Sequence, residues 1–399
     1  MAFAVDDFDD GFDLPDDFQM DTKIMVFGVG GAGGNAVDHM VNNGVLDVEY
    51  VIANTDVVAL RKKDGSKMKR VQIGRKTTRG QGAGNDPTRG RASAEENRDD
   101  IAAMLDGVSM VFVAAGMGGG TGTGAAPVVA SVAKEKDILT IGVVTKPFAW
   151  EGQAKMHSAI GGISEMKKYV DALIVIPNDR VSELKGPRPK VSVKEAFSEV
   201  DDVLCKSVKG IITLLQGEKY VNTDFADITR ILKDSGEAHI AIGNGKGDNM
   251  IENALNEVLH CPLLETSIDG AKRCLMNLSI PTSFSLEEFE NISTKITEKF
   301  SNGAEFIFGM GFDDTLADDE LSLIVVATDF EQKPSLGVLT GISAPSIPVE
   351  GPEPEPESDT DAAIDGEFRQ GSTPFASDGF GDSQDIDTLL KKFNQGRDN

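Results

Sequence analysis

A run of seven residues, Gly118-Gly119-Gly120-Thr121-Gly122-Thr123-Gly124, carries the clearest chemistry in the chain. It follows an apolar, strand-like segment (108–115) and precedes a helix-like one (125–134). Glycine serves where backbone must approach a ligand closely or adopt φ > 0. Uncovered N–H groups at a helix N-terminus attract anions, and two threonine hydroxyls add donors. The ligand such a segment suits is a polyphosphate. A merely flexible turn accounts poorly for five glycines and two threonines placed between a strand and a helix.

A second glycine segment, Gly28-Val29-Gly30-Gly31-Ala32-Gly33-Gly34-Asn35, leaves a buried-strand pattern at 23–29 and enters a helix expected over 36–42. Taken alone, Gly28, Gly30 and Gly33 fit the GxGxxG dinucleotide fingerprint and would suit a nicotinamide-dependent dehydrogenase. That reading leaves the other glycine segment without a purpose. Two such segments after two strands of one sheet argue for a nucleotide with several phosphates. The sequence has no GxxxxGK[ST], so backbone amides and a cation must neutralise the phosphates.

These segments need a scaffold. Strand-like runs at 23–29, 48–53, 109–115, 139–145 and 171–176 alternate with helical ones, the βαβ rhythm of a Rossmann-like parallel sheet. Residues 191–216 predict a long amphipathic helix, a spine with Val193, Ala196, Phe197, Val200, Val203, Leu204, Val208 and Ile211 on one face. A second, α+β domain is expected over 223–330. Its strands are expected at 238–243, 272–280, 305–313 and 321–329, with helices at 225–235, 250–260 and 285–302. The fold class is therefore α/β: a phosphate-binding domain over 22–190, a central helix and following loop over 191–222, then the α+β domain.

The two ends read differently. Residues 1–21 hold eight aspartates and no lysine or arginine, which predicts a disordered acidic extension and excludes a signal peptide. Residues 331–384, rich in Pro, Glu, Asp, Gly and Ser, bury too little apolar surface to offset chain entropy and read as a linker. In 385–399 the spacing of Ile386, Leu389, Leu390 and Phe393 makes one apolar helical stripe, read as a docking peptide for another protein. No apolar run reaches about 18 residues, and the three cysteines have no metal or redox spacing. A cytoplasmic protein with no direct membrane binding is expected. The net charge of −26 argues against nucleic acid as a partner.

The glycine segments do not stand alone. GVGGAGGNAV (28–37), ANTD (53–56), TRGQGAG (78–84), GGGTGTG (118–124), VTKPFAWEG (144–152), IPND (176–179) and NTDFADI (222–228) follow one another in the order of a known family. Over 22–330 and the terminal peptide, the chain resembles the tubulin/FtsZ superfamily. The resemblance implies a GTPase that polymerises head-to-tail into filaments of the bacterial division ring, with GTP hydrolysed between subunits. Gly30, Gly31, Gly33, Gly34 and the stretch Gly118, Gly119, Gly120, Thr121, Gly122, Thr123, Gly124 would wrap the phosphates. Glu151 would contact the ribose, and Asn35, Asn178 and Asp201 would read guanine with Phe197 packed near it. Arg79 and the glycines of 78–84 would shape a loop that senses the γ-phosphate. Asn222, Asp224 and Asp227 would act on the next subunit's nucleotide, orienting water and helping to hold Mg2+. By spacing alone Asp224 and Asp227 read first as helix caps, and it is the full motif context that favours the catalytic role.

The chain departs from the family pattern at three places. Lys155 stands where an arginine commonly meets phosphate, keeping charge but losing the planar fork. Asp387 replaces the proline of the terminal peptide, and Asp329 stands where glycine is usual. A non-filamentous regulatory relative is the alternative. It would lack the terminal peptide and carry a degenerate 222–228 segment.

Overall fold

The computed structural model describes residues 22–43, 48–181, 192–215, 224–263, 268, 270–298, 300, 303–312 and 316–330. Residues 1–21, Asn222, the linker and the terminal peptide lie outside the described residues.

The first half is β1 (Ile24–Val29), α1 (Gly30–Asn42), β2 (Glu49–Asn54), α2 (Val57–Arg61), β3 (Lys69–Gln72), α3 (Arg75–Thr78), α4 (Pro87–Glu96), α5 (Arg98–Met104), β4 (Met110–Gly116), α6 (Thr121–Glu135), β5 (Leu139–Lys146), α7 (Gln153–Met166), β6 (Ala172–Pro177) and α8 (Asn178–Val181). The spine is α9 (Val193–Leu215). It is followed by α10 (Phe225–Leu232), β7 (Gly236–Lys246), α11 (Met250–Leu259), β8 (Ala271–Ile280), α12 (Leu286–Thr297), β9 (Glu305–Phe312) and β10 (Glu320–Phe330).

The strands lie in the order β3-β2-β1-β4-β5-β6-β7-β10-β8-β9. From β3 to β6 every pair is parallel. Such strands are covered on both faces and read as continuous apolar runs rather than alternating ones. In β1, Ile24 and Val26 join the core shared with α1, α9 and the second half, while Met25, Phe27 and Val29 join the core under α6. Strand β7 joins the halves. Its first residues pair in parallel with β6, from Ala172↔Gly236 to Ile174↔Ala238, and its remainder runs antiparallel to β10.

Several expectations are corrected. The helices expected to start at 36 and 125 begin at Gly30 and Thr121. Gly30–Gly34 and Thr121–Gly124 are thus first turns of helices, and Gly118–Gly120 form the short turn that leads into the second. Glycine's poor helix propensity suggested otherwise, but the close packing described below overrides it. Strand β3 escaped detection because it is a short, polar edge strand. Helix α10 stops at Leu232 and α12 at Thr297, short of 235 and 302. Two residues of the expected spine stripe, Val193 and Phe197, are exposed, whereas Val200, Val203, Leu204, Val208 and Ile211 are buried. Asp329 has φ +54°. The position needs a left-handed backbone, which explains a preference for glycine and which aspartate tolerates better than most residues.

Candidate nucleotide site

Strand order reverses direction between β1 and β4, which are neighbours although β2 and β3 lie between them in sequence. In open parallel sheets, ligands bind outside the carboxyl ends of the strands at such a switch point. Both glycine segments emerge there. Helix α1 starts from Val29 and α6 from Gly120, and neither cap residue gives a side-chain hydrogen bond to the helix. Two sets of first-turn N–H groups, with their partial positive charge, therefore face the same crevice.

The glycines of these turns divide by what a side chain would meet. A Cβ on Gly33 would overlap the Ala114 carbonyl, and one on Gly124 the Pro87 carbonyl. On Gly122 it would stand 2.5 Å from the Gly116 carbonyl oxygen, and on Gly120 2.8 Å from the Asp86 nitrogen. Gly30, at φ +77°, lies against Gly122 in the same way, and Gly118, at φ +102°, against the Lys155 carbonyl. These six are glycine so that the chain can fold. Gly31, Gly34 and Gly119 have nothing within 4 Å of the Cβ position. They border open space.

Side chains furnish the rim. Thr123 Oγ1 accepts from Gly118 N–H at 2.8 Å and so closes its own turn. Thr121 Oγ1 lies 2.7 Å from Oγ1 of Thr55, a fully buried residue after β2. The Thr55 carbonyl in turn accepts from Gly82 N–H at 3.3 Å, and Val57 N–H donates to the Gly80 carbonyl at 3.1 Å. The 78–84 loop, with Arg79, Gly80, Gly82 and Gly84 all at positive φ, is thereby tied to the second glycine turn. Sequence reasoning gave Thr55 no role, although it lies inside the quoted ANTD block.

Glu151 accepts from Phe148 N–H (3.0 Å) and from Lys155 Nζ (2.9 Å), so both of its oxygens are engaged. Lys155 is thus held by Glu151 at the crevice edge. Phe197 packs edge-on to Phe148 (5.3 Å), which stacks on Trp150 (5.3 Å). Asn178, at the carboxyl end of β6, is buried, and its Oδ1 accepts no hydrogen bond. That orphaned acceptor is costly unless a ligand group satisfies it. Asn35 is exposed on α1, with Lys63 Nζ on its Oδ1 at 2.9 Å. Lys62 and Lys63 line the pocket beside Gly31 and Gly34.

Burial pushes the Asp201 carboxyl up to about 6, against the pull of His39 and Lys63, while Asp38 raises it further. The unfolded chain holds this proton only up to about pH 3.9. Ionised Asp201 therefore costs stability, a cost that grows as pH rises from about 4 to 6 and is complete above. Nucleotide-free Asp201→Asn protein should melt at a higher temperature than the wild-type chain at pH 7.5. The gap should close as pH falls toward 4 in thermal unfolding followed by circular dichroism. A wild-type chain that melts higher at pH 7.5 would show that the carboxylate is already satisfied.

The acidic segment lies elsewhere. Asp224 caps α10, its Oδ1 accepting from Asp227 N–H at 2.7 Å, so the capping role read from spacing is realised. Asp227 is half-buried in the first turn, 3.6 Å from Arg230. Helix α10 leads directly into Gly236, which pairs with the first residue of β6, and Lys233 reaches Asp137 just before β5. Both contacts mark the amino ends of the strands, opposite the glycine turns. The 23-residue α9 separates the two faces, a span of about 34 Å at 1.5 Å per residue. Among the described residues no three His, Cys, Asp or Glu side chains converge on a metal site.

An α/β sheet with two glycine-rich helix starts at its switch point matches the GTPase-domain model of the tubulin/FtsZ family over residues 23–185. The C-terminal-domain model of the FtsZ family matches residues 236–331. A cell division protein FtsZ of Wigglesworthia glossinidia brevipalpis is 42% identical over 329 residues, covering 82% of this chain and 84% of that protein. Among solved structures, an empty FtsZ dimer from M. jannaschii superposes with a TM-score of 0.72 at 36% identity, over 77% of this chain and 88% of that one. GDP-bound monomeric CetZ1 from Haloferax volcanii shares the fold alone, with a TM-score of 0.66 at 23% identity over 78% of this chain and 96% of that one. The chain belongs to the FtsZ family of cell-division GTPases.

Proposed function

We propose that this chain polymerises head-to-tail, each subunit binding GTP on its carboxyl face and receiving the catalytic segment from its neighbour's amino face. One observation carries the reading. The phosphate turns and the 224–227 segment lie at opposite ends of the sheet, about 34 Å of spine helix apart, so one chain cannot close the site on itself. A related FtsZ from M. jannaschii is found as a dimer, which supports self-association.

In this reading the N–H groups of the α1 and α6 first turns bind the phosphates, and Gly31, Gly34 and Gly119 give them room. Asp201 accepts from guanine N1–H and the 2-amino group together, a pair adenine does not offer, while Asn178 and Asn35 complete the base contacts. Glu151 meets the ribose from its Lys155 pair. The Thr121–Thr55 hydrogen bond relates the γ-phosphate to the 78–84 loop. Asp224 and Asp227 of the incoming subunit, with Asn222, orient the attacking water and accept its proton. Mg2+, which fits phosphate oxygens and one or two carboxylates better than a dedicated protein cage, would offset phosphate charge there.

Residues 385–395 are read as the tether to an adaptor or membrane-anchoring division protein. Among the described residues no helix is long and apolar enough to cross a membrane. The linker would let one filament present many weak contacts at the cytoplasmic face of the division site.

Specific GTPase activity, followed by phosphate release alongside light scattering, should vanish below a threshold protein concentration. Constant activity per molecule at high dilution would sink the shared site.

A further inference from the structure

Lys63 follows the C-cap of α2, with its own N–H bonded to the Leu60 carbonyl. Its side chain is only 18% exposed and spans to α1. There Nζ donates to Asn35 Oδ1 at 2.9 Å and to Asp38 Oδ2 at 3.0 Å. An ammonium has donors and no acceptor, so it can engage only the carbonyl end of the Asn35 carboxamide. The amino end is left for whatever lies against α1. Asn35 and Lys63 together line a pocket of about 250 Å3 with Gly31 and Gly34, glycines that border open space.

We propose that Lys63 is a specificity-determining positioning residue: by fixing Asn35 with its amino end toward the nucleotide, it selects a base that carries a carbonyl acceptor over one that carries an amino group. The inference rests on the base-reading role given to Asn35 above. Guanine and hypoxanthine present a carbonyl at position 6, and adenine presents an amino group there. Without Lys63 the carboxamide is free to turn over and offer Oδ1 to adenine. Asp38, on the other side of the ammonium, keeps Lys63 from swinging toward the phosphates. Lys63 therefore acts on the base end of the ligand and not as a phosphate counter-charge.

The test is equilibrium binding of GDP, IDP and ADP to the full chain and its variants. Lys63→Met should weaken GDP and IDP alike, by about tenfold, the value of one lost hydrogen bond of this kind. ADP should bind unchanged or more tightly, and Lys63→Arg should retain the selectivity. In an Asn35→Ala background, Lys63→Met should add no further loss of selectivity, because the lysine acts through that side chain. Equal loss for ADP would place Lys63 with the phosphates or the fold, and unchanged affinity for all three nucleotides would deny it any role; either overturns the inference. Asp201→Ala separates the two levels. It should weaken GDP more than IDP, since only guanine has the 2-amino group. A wild-type chain without guanine preference overturns the base-reading assignment and this inference together, whereas a preference that survives Lys63→Met overturns this inference alone.

Discussion

Replacing Asp227 with alanine should leave GTP binding within about twofold of wild type and lower turnover by about a hundredfold or more, the range for a positioned group that orients and deprotonates water. Binding survives because Asp227 lies on the amino face, with the whole α9 helix between it and the glycine turns of its own subunit. Stability should survive as well. The helix cap is Asp224, not Asp227, and the Asp227–Arg230 pair is partly exposed at 3.6 Å, an arrangement worth little. Asp224→Ala, in contrast, should lose about 1 kcal/mol as a lost cap. The decisive measurement is a mixture. Asp227→Ala subunits combined with a variant unable to bind GTP should regain phosphate release, because the second variant brings an intact amino face to the first one's nucleotide. Two inactive proteins that stay inactive together, while still copolymerising, would refute the division of labour.

The glycines give the other large effect, and in two directions. Gly124→Ala drives a methyl group into the Pro87 carbonyl between α6 and α4. Backbone cannot yield as a flexible side chain can, so a loss of about 3 kcal/mol is expected. Gly33→Ala against Ala114 should behave similarly. Gly34→Ala lies within the same helix α1 but meets open space. There the ordinary helical preference for alanine applies, a gain of about 0.5–1 kcal/mol. The nucleotide-free Gly34→Ala protein should therefore melt higher than wild type yet bind GTP at least about tenfold more weakly, as the methyl group occupies ligand space. Thermal unfolding and nucleotide titration on the three variants check this. Retained affinity in Gly34→Ala would show that the phosphates lie elsewhere.

Much of this was legible without coordinates. Residues 24–29 and 110–115 are apolar throughout, which marks strands covered on both faces, and the glycines between strand and helix mark where a ligand is expected. What could not be read is what depends on a partner far away in sequence. Glycine disfavours helix, so sequence alone places the starts of α1 and α6 some four to six residues late. Only the neighbours Ala114 and Pro87 reveal that Gly33 and Gly124 are helical packing residues. Strand β3 has polar residues facing outward and too few of them to show a period. Thr55 and Lys63 acquire meaning through Thr121 and Asn35, 66 and 28 residues away. Asp329 looked arbitrary until its φ showed a left-handed backbone.

A cradle made from main chain and absent side chains has an evolutionary corollary. Its glycine positions have almost no neighbouring sequence to drift into, because each added methyl group costs either the fold or the room for phosphate. Retuning must fall on side chains at the rim. Lys155, where the family resemblance implies an arginine, is a rim position of this kind, its charge held in place by Glu151. Lys63 and Asp201, proposed above to act at the base end, are further dials of that kind. On the proposed reading the phosphate half of the site is conservative by construction, and variation between relatives in nucleotide preference and turnover has only the periphery in which to accumulate.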